Sequence, residues 1–389
     1  MAGVSAAASH VKKFYQKRFC DEPVNGGYLP ELDVAKAICL IGMPVVHLSG
    51  LCMGDEALTE GVGYVLDSVL GGPFGMPMFA VCMGISTNYS HMKKPAEYVR
   101  RGLILLIMGL ALNIFRYGIP YLLGYALTGD SGRYLSDIVF KLFETDVYQF
   151  FGLSFMLIGA MFMCGIKWPG IFAAAAALSV IGTCLGMIDT HSDALNIFLG
   201  NFIGVTDEAG HILSFFPLLN WFIVVVAGCV YGYLMRRARN LRAFWLKTAI
   251  PALLLAAAWM AIRIPAQAGM FGTSEEAYYC ISTPDAISTV FTSIGMLGVY
   301  RLLVPVLPAF VKNAARSLSR LIIPYYCIHW VLAVLFAEVY LIARYGSSDI
   351  PFGVLMAASA AVIALSWFFA WLWRNRLRRP NKASGTAGK

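Results

Sequence analysis

Charge is scarce in this chain. Only 13% of its 389 residues are Asp, Glu, Lys or Arg, about half of the ~25% usual in a soluble globular protein. With a mean hydropathy of +0.68, the chain is no ordinary soluble domain and reads as an integral membrane protein. Cysteine patterning is missing too. The nine cysteines form no Cys-x-x-Cys pair and show no metal-type spacing, so redox and zinc chemistry find no support and no metal is expected. Cys39, Cys52, Cys82, Cys164, Cys184, Cys229 and Cys327 fall in or at the ends of apolar runs, where a thiol serves as a small hydrophobe. Residues Met1–Gly27 are polar and basic, with no apolar core ahead of a small-residue cleavage site, so no secretory signal is expected there. No repeat of solenoid period is visible, nor convincing symmetry between halves, which counts against the repeat-built transporters.

Long apolar runs are what the chain does have. Ten are long enough, or nearly so, to span a bilayer: 34–53, 72–91, 99–118, 147–166, 168–187, 213–235, 244–264, 286–305, 319–342 and 352–374. Ile119–Leu127 and Leu195–Gly204 are too short to cross and are expected as interfacial or re-entrant pieces. The net charge of +8 sits mostly in short segments between apolar runs, so it reports topology rather than a nucleic-acid partner. If the N-terminus is inside and ten spans alternate, Lys12, Lys13, Lys93, Lys94, Arg100, Arg101, Lys167, Arg236, Arg237, Arg316, Arg320 and the basic tail all fall inside. Arg116, Arg133, Lys141, Arg263 and Arg344 are then the outer cations. This split predicts an all-α polytopic protein of about ten transmembrane helices with both termini cytoplasmic, placed as a multi-pass protein in the cell membrane. It comprises a basic segment 1–27, a membrane domain 28–375 and a basic tail 376–389.

The first span carries the chemistry. Asp33, Lys36, Leu40 and His47 share one face at about 100° per residue. Lys36 and His47 are roughly 16 Å apart along the helix, about half of a hydrocarbon core ~30 Å thick. An ionisable residue at that depth is expensive and ordinarily faces a cavity or pathway. Asp33 is ~21 Å along the helix from His47, so it is expected to pair with Lys36 instead.

Several segments resemble the transmembrane acyltransferases, both the acyltransferase-3 family of bacterial O-acyltransferases and the heparan-α-glucosaminide N-acetyltransferase-like proteins. Asp33-Val-Ala-Lys36-Ala37, with His47 after the same gap, resembles their first-helix pattern Asp-x-x-Arg-Gly followed by His or Asn. Pro77-Met-Phe79 through Gly84 resembles the second-helix Pro-x-Phe-x-x-x-x-Gly, and Tyr98-Val-Arg100-Arg101-Gly102 through Gly109 the basic entry to the third helix. Asp146-Val-Tyr-Gln149 through Gly152 and Phe216-Pro217-Leu-Leu-Asn220-Trp221 are similar to the glucosaminide-acetyltransferase-like branch. Ser319 through Tyr325-Tyr326-Cys-Ile-His329-Trp330 resembles the late Ser-Tyr-x-x-Tyr-x-x-His-Trp element of acyltransferase-3 proteins. Lys36 stands where arginine is usual, Ala37 where glycine is, and Asn220 where proline is common. Lysine keeps the charge and loses the planar fork of arginine.

The resemblance implies a membrane acyltransferase moving an acetyl or other acyl group from cytoplasmic acyl-CoA to a sugar or glycan hydroxyl or amine. Carbohydrate of the cell envelope is the implied target. His47 is then the candidate base and His329 its possible partner. Lys36, Lys93, Lys94, Arg100 and Arg101 are candidates for the phosphates of acetyl-CoA. Asn113 and Arg116 are candidates on the acceptor side, although an arginine there also suits snorkelling. Glu338, nine residues beyond His329, is on the opposite face and is not expected to form a dyad with it. Each histidine also admits a purely structural hydrogen-bonding role, and Tyr325 and Tyr326 a packing role. The rival readings are a transporter with an embedded proton path and an inactive scaffold of the same fold. Membrane lipids and a homo-oligomeric partner are compatible with all three.

Overall fold

The structure, a computed structural model, describes residues 15–53, 61–90, 94–207, 212–268 and 275–377. Lys93, His10, His91 and His211 lie outside the described residues. Among those described, ten helical runs are long and apolar enough to cross a membrane: Pro30–Cys52, Gly61–Tyr89, Pro95–Thr128, Ser131–Met163, Trp168–Leu185, Leu218–Arg237, Leu241–Arg263, Thr283–Leu303, Ile322–Tyr345 and Phe352–Arg376. The all-helical, ten-span architecture is as the hydropathy pattern predicts. Among the described residues, the one strand pairing beyond isolated bridges is the parallel one of Met187–Ile188 with Gly204–Val205.

The short segments turn out differently from each other. Ile119–Leu127 is not a re-entrant piece, because a π-helical turn, Ile114–Gly118, joins Pro95–Asn113 to Ile119–Thr128 in one long third span. Pro120 directly follows the π turn, and its missing N–H leaves out one bond of the continuous ladder there. Leu195–Gly204, by contrast, is short as expected, with a helix only at Asp193–Leu199. The fourth span is prefaced by two brief helices, Ser131–Leu135 and Ile138–Phe143, before its long segment Val147–Met163.

The chain divides into two compact units. The first takes the described residues of Met1–Ala35, Gly72–Gly109 and Thr145–Leu307. In it, Met76–Tyr89 packs closely on Leu218–Arg237. A Cβ on Gly84 would overlap the carbonyl of Val225, and one on Gly228 would overlap that of Val81. Small residues that let two backbones touch are the usual device of membrane helix pairs, which explains Gly84 in the second-helix motif. The Asp146–Gln149 motif is a capping box: the Asp146 carboxylate accepts from Val147 N, and Gln149 Oε1 accepts from Asp146 N. Asn220 and Trp221 donate to the carbonyls of Ile281 and Tyr279, anchoring the sixth span. Asp33, expected beside Lys36, accepts from the hydroxyl of Tyr28. Buried Glu31 pairs with Arg301 at 3.0 Å.

The second unit takes the described residues of Lys36–Gly71, Leu110–Glu144 and Pro308–Lys389. Its core joins Leu48 and Cys52 of the first span to Ala333, Ala337 and Leu341 of the ninth and Leu355 and Val362 of the tenth. The helix Ala309–Arg320 precedes the ninth span. Pro324 sits in the first turn of Ile322–Val334, separating the two helices because it cannot donate into a continuous one. A π-helical segment, Leu335–Leu341, follows in the ninth span. There Glu338 pairs with Arg133 at 3.0 Å, not with His329.

Candidate active site

His47 sits on the last two turns of Pro30–Cys52, three residues beyond Pro44. That proline has no N–H for the carbonyl one turn earlier, which loosens the helix just before the histidine. His329 sits in Ile322–Val334 and is fully buried. The fold brings the two imidazoles together: His47 Nδ1 is 2.9 Å from His329 Nε2. On its other side, His329 Nδ1 is 3.3 Å from the carbonyl oxygen of Tyr325.

A carbonyl can only accept, so the proton of neutral His329 is assigned to Nδ1 and its Nε2 is left as an acceptor. His47 Nδ1 must then donate, which leaves the lone pair of His47 on Nε2. The half-buried ring of the pair is His47, and the enclosed one is His329. The arrangement is an imidazole whose tautomer is set by a second histidine, itself set by the backbone.

Trp330 completes the cluster. His47 stacks on its ring at 3.8 Å between centroids with 20° between planes. The guanidinium of Arg116 lies 4.5 Å from the same ring and 4.4 Å from that of Tyr117. Arg116 belongs to the π turn Ile114–Gly118, a helical irregularity often found at functional sites. Its side chain is 1% exposed, so it does not snorkel. It donates to Asn113 Oδ1 and to Glu144 Oε1, both at 3.0 Å. Tyr117 donates to the same Glu144 oxygen, and Lys141 pairs with the other at 2.7 Å. Asn113 turns its amide to the carbonyls of Leu142 and Glu144, satisfying acceptors left over at the end of Ile138–Phe143.

Four expected residues, His47, His329, Asn113 and Arg116, therefore meet in one cluster of the second unit, with Trp330 between the histidines and the ion pair. Lys36 is half-buried in the first span, about 16 Å of helix from His47. Lys94 and Arg100 are exposed and Arg101 is half-buried at the start of the third span. Glu144, Lys141 and Tyr117 are partners that sequence reasoning misses. The available signal is a Lys-x-x-Glu pair bordering apolar spans, because charges there need partners. Tyr325, which the sequence favours as a packing aromatic over a catalytic group, lies against His329 with its hydroxyl buried and without a hydrogen-bond partner among the described residues, and Trp330 Nε1 is likewise buried without one.

A polytopic helical membrane protein with a hydrogen-bonded histidine pair bordered by a buried ion-pair network is the class this geometry defines. The chain belongs to the heparan-alpha-glucosaminide N-acetyltransferase family, whose catalytic region it matches over residues 29–263, and it is thus a membrane acetyltransferase. No curated protein and no solved structure matches the chain. The matched stretch includes His47, Asn113, Arg116 and Glu144 but ends before His329 and Trp330.

Proposed function

We propose that this enzyme transfers an acetyl group from cytoplasmic acetyl-CoA to an amine or hydroxyl of a sugar or glycan at the membrane or its outer face, with His47 as the base. The hydrogen bond between His47 and His329 is the observation that carries the reading. It leaves Nε2 of the more accessible imidazole as a free acceptor. In the transfer, that nitrogen takes the acceptor's proton as the acceptor attacks the thioester carbonyl carbon. The carbon–sulfur bond then breaks, and the imidazolium returns its proton to the departing thiolate. Acceptor, acetyl group and CoA thiol are thereby balanced, and the histidine ends as it began.

Lys36, Lys93, Lys94, Arg100 and Arg101 supply positive charge for the donor's phosphates, with Lys36 on the same helix as His47. Asn113 and Arg116 serve the acceptor side through Trp330, since the guanidinium is already committed to Glu144 and Asn113. Radiolabelled acetyl-CoA with membrane glycan extracts tests the reading. Wild type is expected to label glycan and His47→Ala to lose the labelling. Transfer that survives the substitution removes His47 from the mechanism, and absence of acyl-CoA binding by intact protein removes the donor.

A further inference from the structure

Away from the histidine cluster, the second unit holds a cavity of about 360 Å³ lined by Asn313, Arg316, Ser317, Arg320, Trp371 and Arg374, among others. Three arginines line it, and among the described residues none of those lining it is a carboxylate. We infer that this cavity binds the phosphate headgroup of an anionic membrane lipid.

Placement supports a lipid source. The cavity lies where Ala309–Arg320 leads into the ninth span and where the tenth span ends. Consecutive antiparallel spans begin and end on one side, so both termini mark the same membrane surface. Ala309–Arg320 is amphipathic. Ala315 and Leu318 are buried, Lys312, Arg316 and Arg320 are its cations, and Phe310 is 74% exposed. Trp371 and Trp373 at the end of the tenth span are also exposed. Exposed aromatics beside a basic cluster at a span end mark headgroup depth. Arginine forks match phosphate oxygens in pairs, and the serine and asparagine side chains add neutral hydrogen bonds.

A blander account has the arginines offset the negative ends of the two helices that terminate here. Each helix end carries only about half an elementary charge, so two ends balance about one guanidinium. Even with Arg316 engaged elsewhere, Arg320 and Arg374 together exceed that, and the excess favours an anion.

The full-length protein reconstituted in nanodiscs tests the site. One preparation contains phosphatidylcholine alone and the other adds phosphatidylglycerol. Retained lipid is read by native mass spectrometry and stability by thermal melting. Wild type is expected to retain phosphatidylglycerol selectively and to melt higher in its presence. The triple variant Arg316→Gln, Arg320→Gln, Arg374→Gln should bind it about a hundredfold more weakly, given the contribution of each cation near an anionic surface. A triple elsewhere, Arg18→Gln, Arg242→Gln, Lys247→Gln, should behave as wild type. If the cavity triple fails to fold, the single variant Arg374→Gln and an Arg→Lys triple carry the same comparison, with binding reduced in the first and largely kept in the second. Equal retention by wild type and cavity variants overturns the inference. So does equal stabilisation by soluble glycerol phosphate without acyl chains, which would make this a site for free phosphate esters.

Discussion

His47 Nδ1 is 2.9 Å from His329 Nε2 across 282 residues of sequence, and the hydrogen bond fixes which nitrogen of His47 is free to act. Both side chains sit in helices, so the geometry is held by packing and not by a loop. Trp330 stacks on His47 from the residue next to its partner, which couples ring orientation to the same helix.

The two histidines should therefore be unequal in mutagenesis. His47→Ala is expected to lower kcat by about 10²- to 10⁴-fold, the range for losing a general base. His329→Ala removes one orienting hydrogen bond, worth about 1–1.5 kcal/mol, and should lower kcat about tenfold with little change in KM. His329→Gln, which keeps an acceptor, should recover part of the loss. Steady-state kinetics with acetyl-CoA checks the order, and a larger effect at His329 than at His47 would reverse the assignment.

Arg116 and Glu144 form an ion pair with both side chains buried. Removing Arg116 leaves Glu144 with Lys141 as its counter-ion and Tyr117 as a donor, so Arg116→Met should destabilise the protein by about 1–3 kcal/mol, the range for a lost charged hydrogen bond. Arg116→Met with Glu144→Gln should cost less than the sum of the two single variants, because both remove the same ion pair while Lys141 loses its partner only once. Thermal melts of the single and double variants in one detergent measure the coupling.

Tyr325 invites a change in the opposite direction. Its hydroxyl is buried and unpartnered among the described residues, and such a group costs about 1–3 kcal/mol of desolvation. Tyr325→Phe keeps the ring beside His329 and is expected to raise the melting temperature. A lower melting temperature would mean that the hydroxyl has a bonding partner in the membrane-embedded protein.

Gly84 and Gly228 should tolerate almost nothing larger. Each lies against the backbone of the opposite helix, so a methyl group must push the second and sixth spans apart. Gly84→Ala is expected to cost about 1–3 kcal/mol, as overpacking does elsewhere. Loss of folded protein in fluorescence-detected chromatography is the accessible readout. Gly27, where an added methyl group would meet open space, provides the neutral comparison as Gly27→Ala.

Much of the candidate site is legible in the linear chain. An ionisable side chain inside an apolar run stands out because hydrocarbon penalises it, and His47, His329 and Arg116 are recognisable on that ground or by their motifs. Glu144 is not, because it sits outside the apolar runs and its burial depends on Arg116 and Tyr117 folding over it. The Asp146–Gln149 motif is readable as a pattern, but its work as a helix cap is visible only from its hydrogen bonds. Ile119–Leu127 reads as a separate piece because a length criterion cannot see a π turn, which keeps the helix continuous while changing its pitch.

The number of spans, and the residues that a membrane forces into partnership, follow from the linear chain. Hydropathy is a local quantity, summed over neighbours along one helix, and needs no knowledge of packing. The identity of each partner is a different matter: His47 with His329, Arg116 with Glu144, Glu338 with Arg133. Those pairings turn on distances between side chains far apart in sequence, set by how the helices pack and where their turns widen.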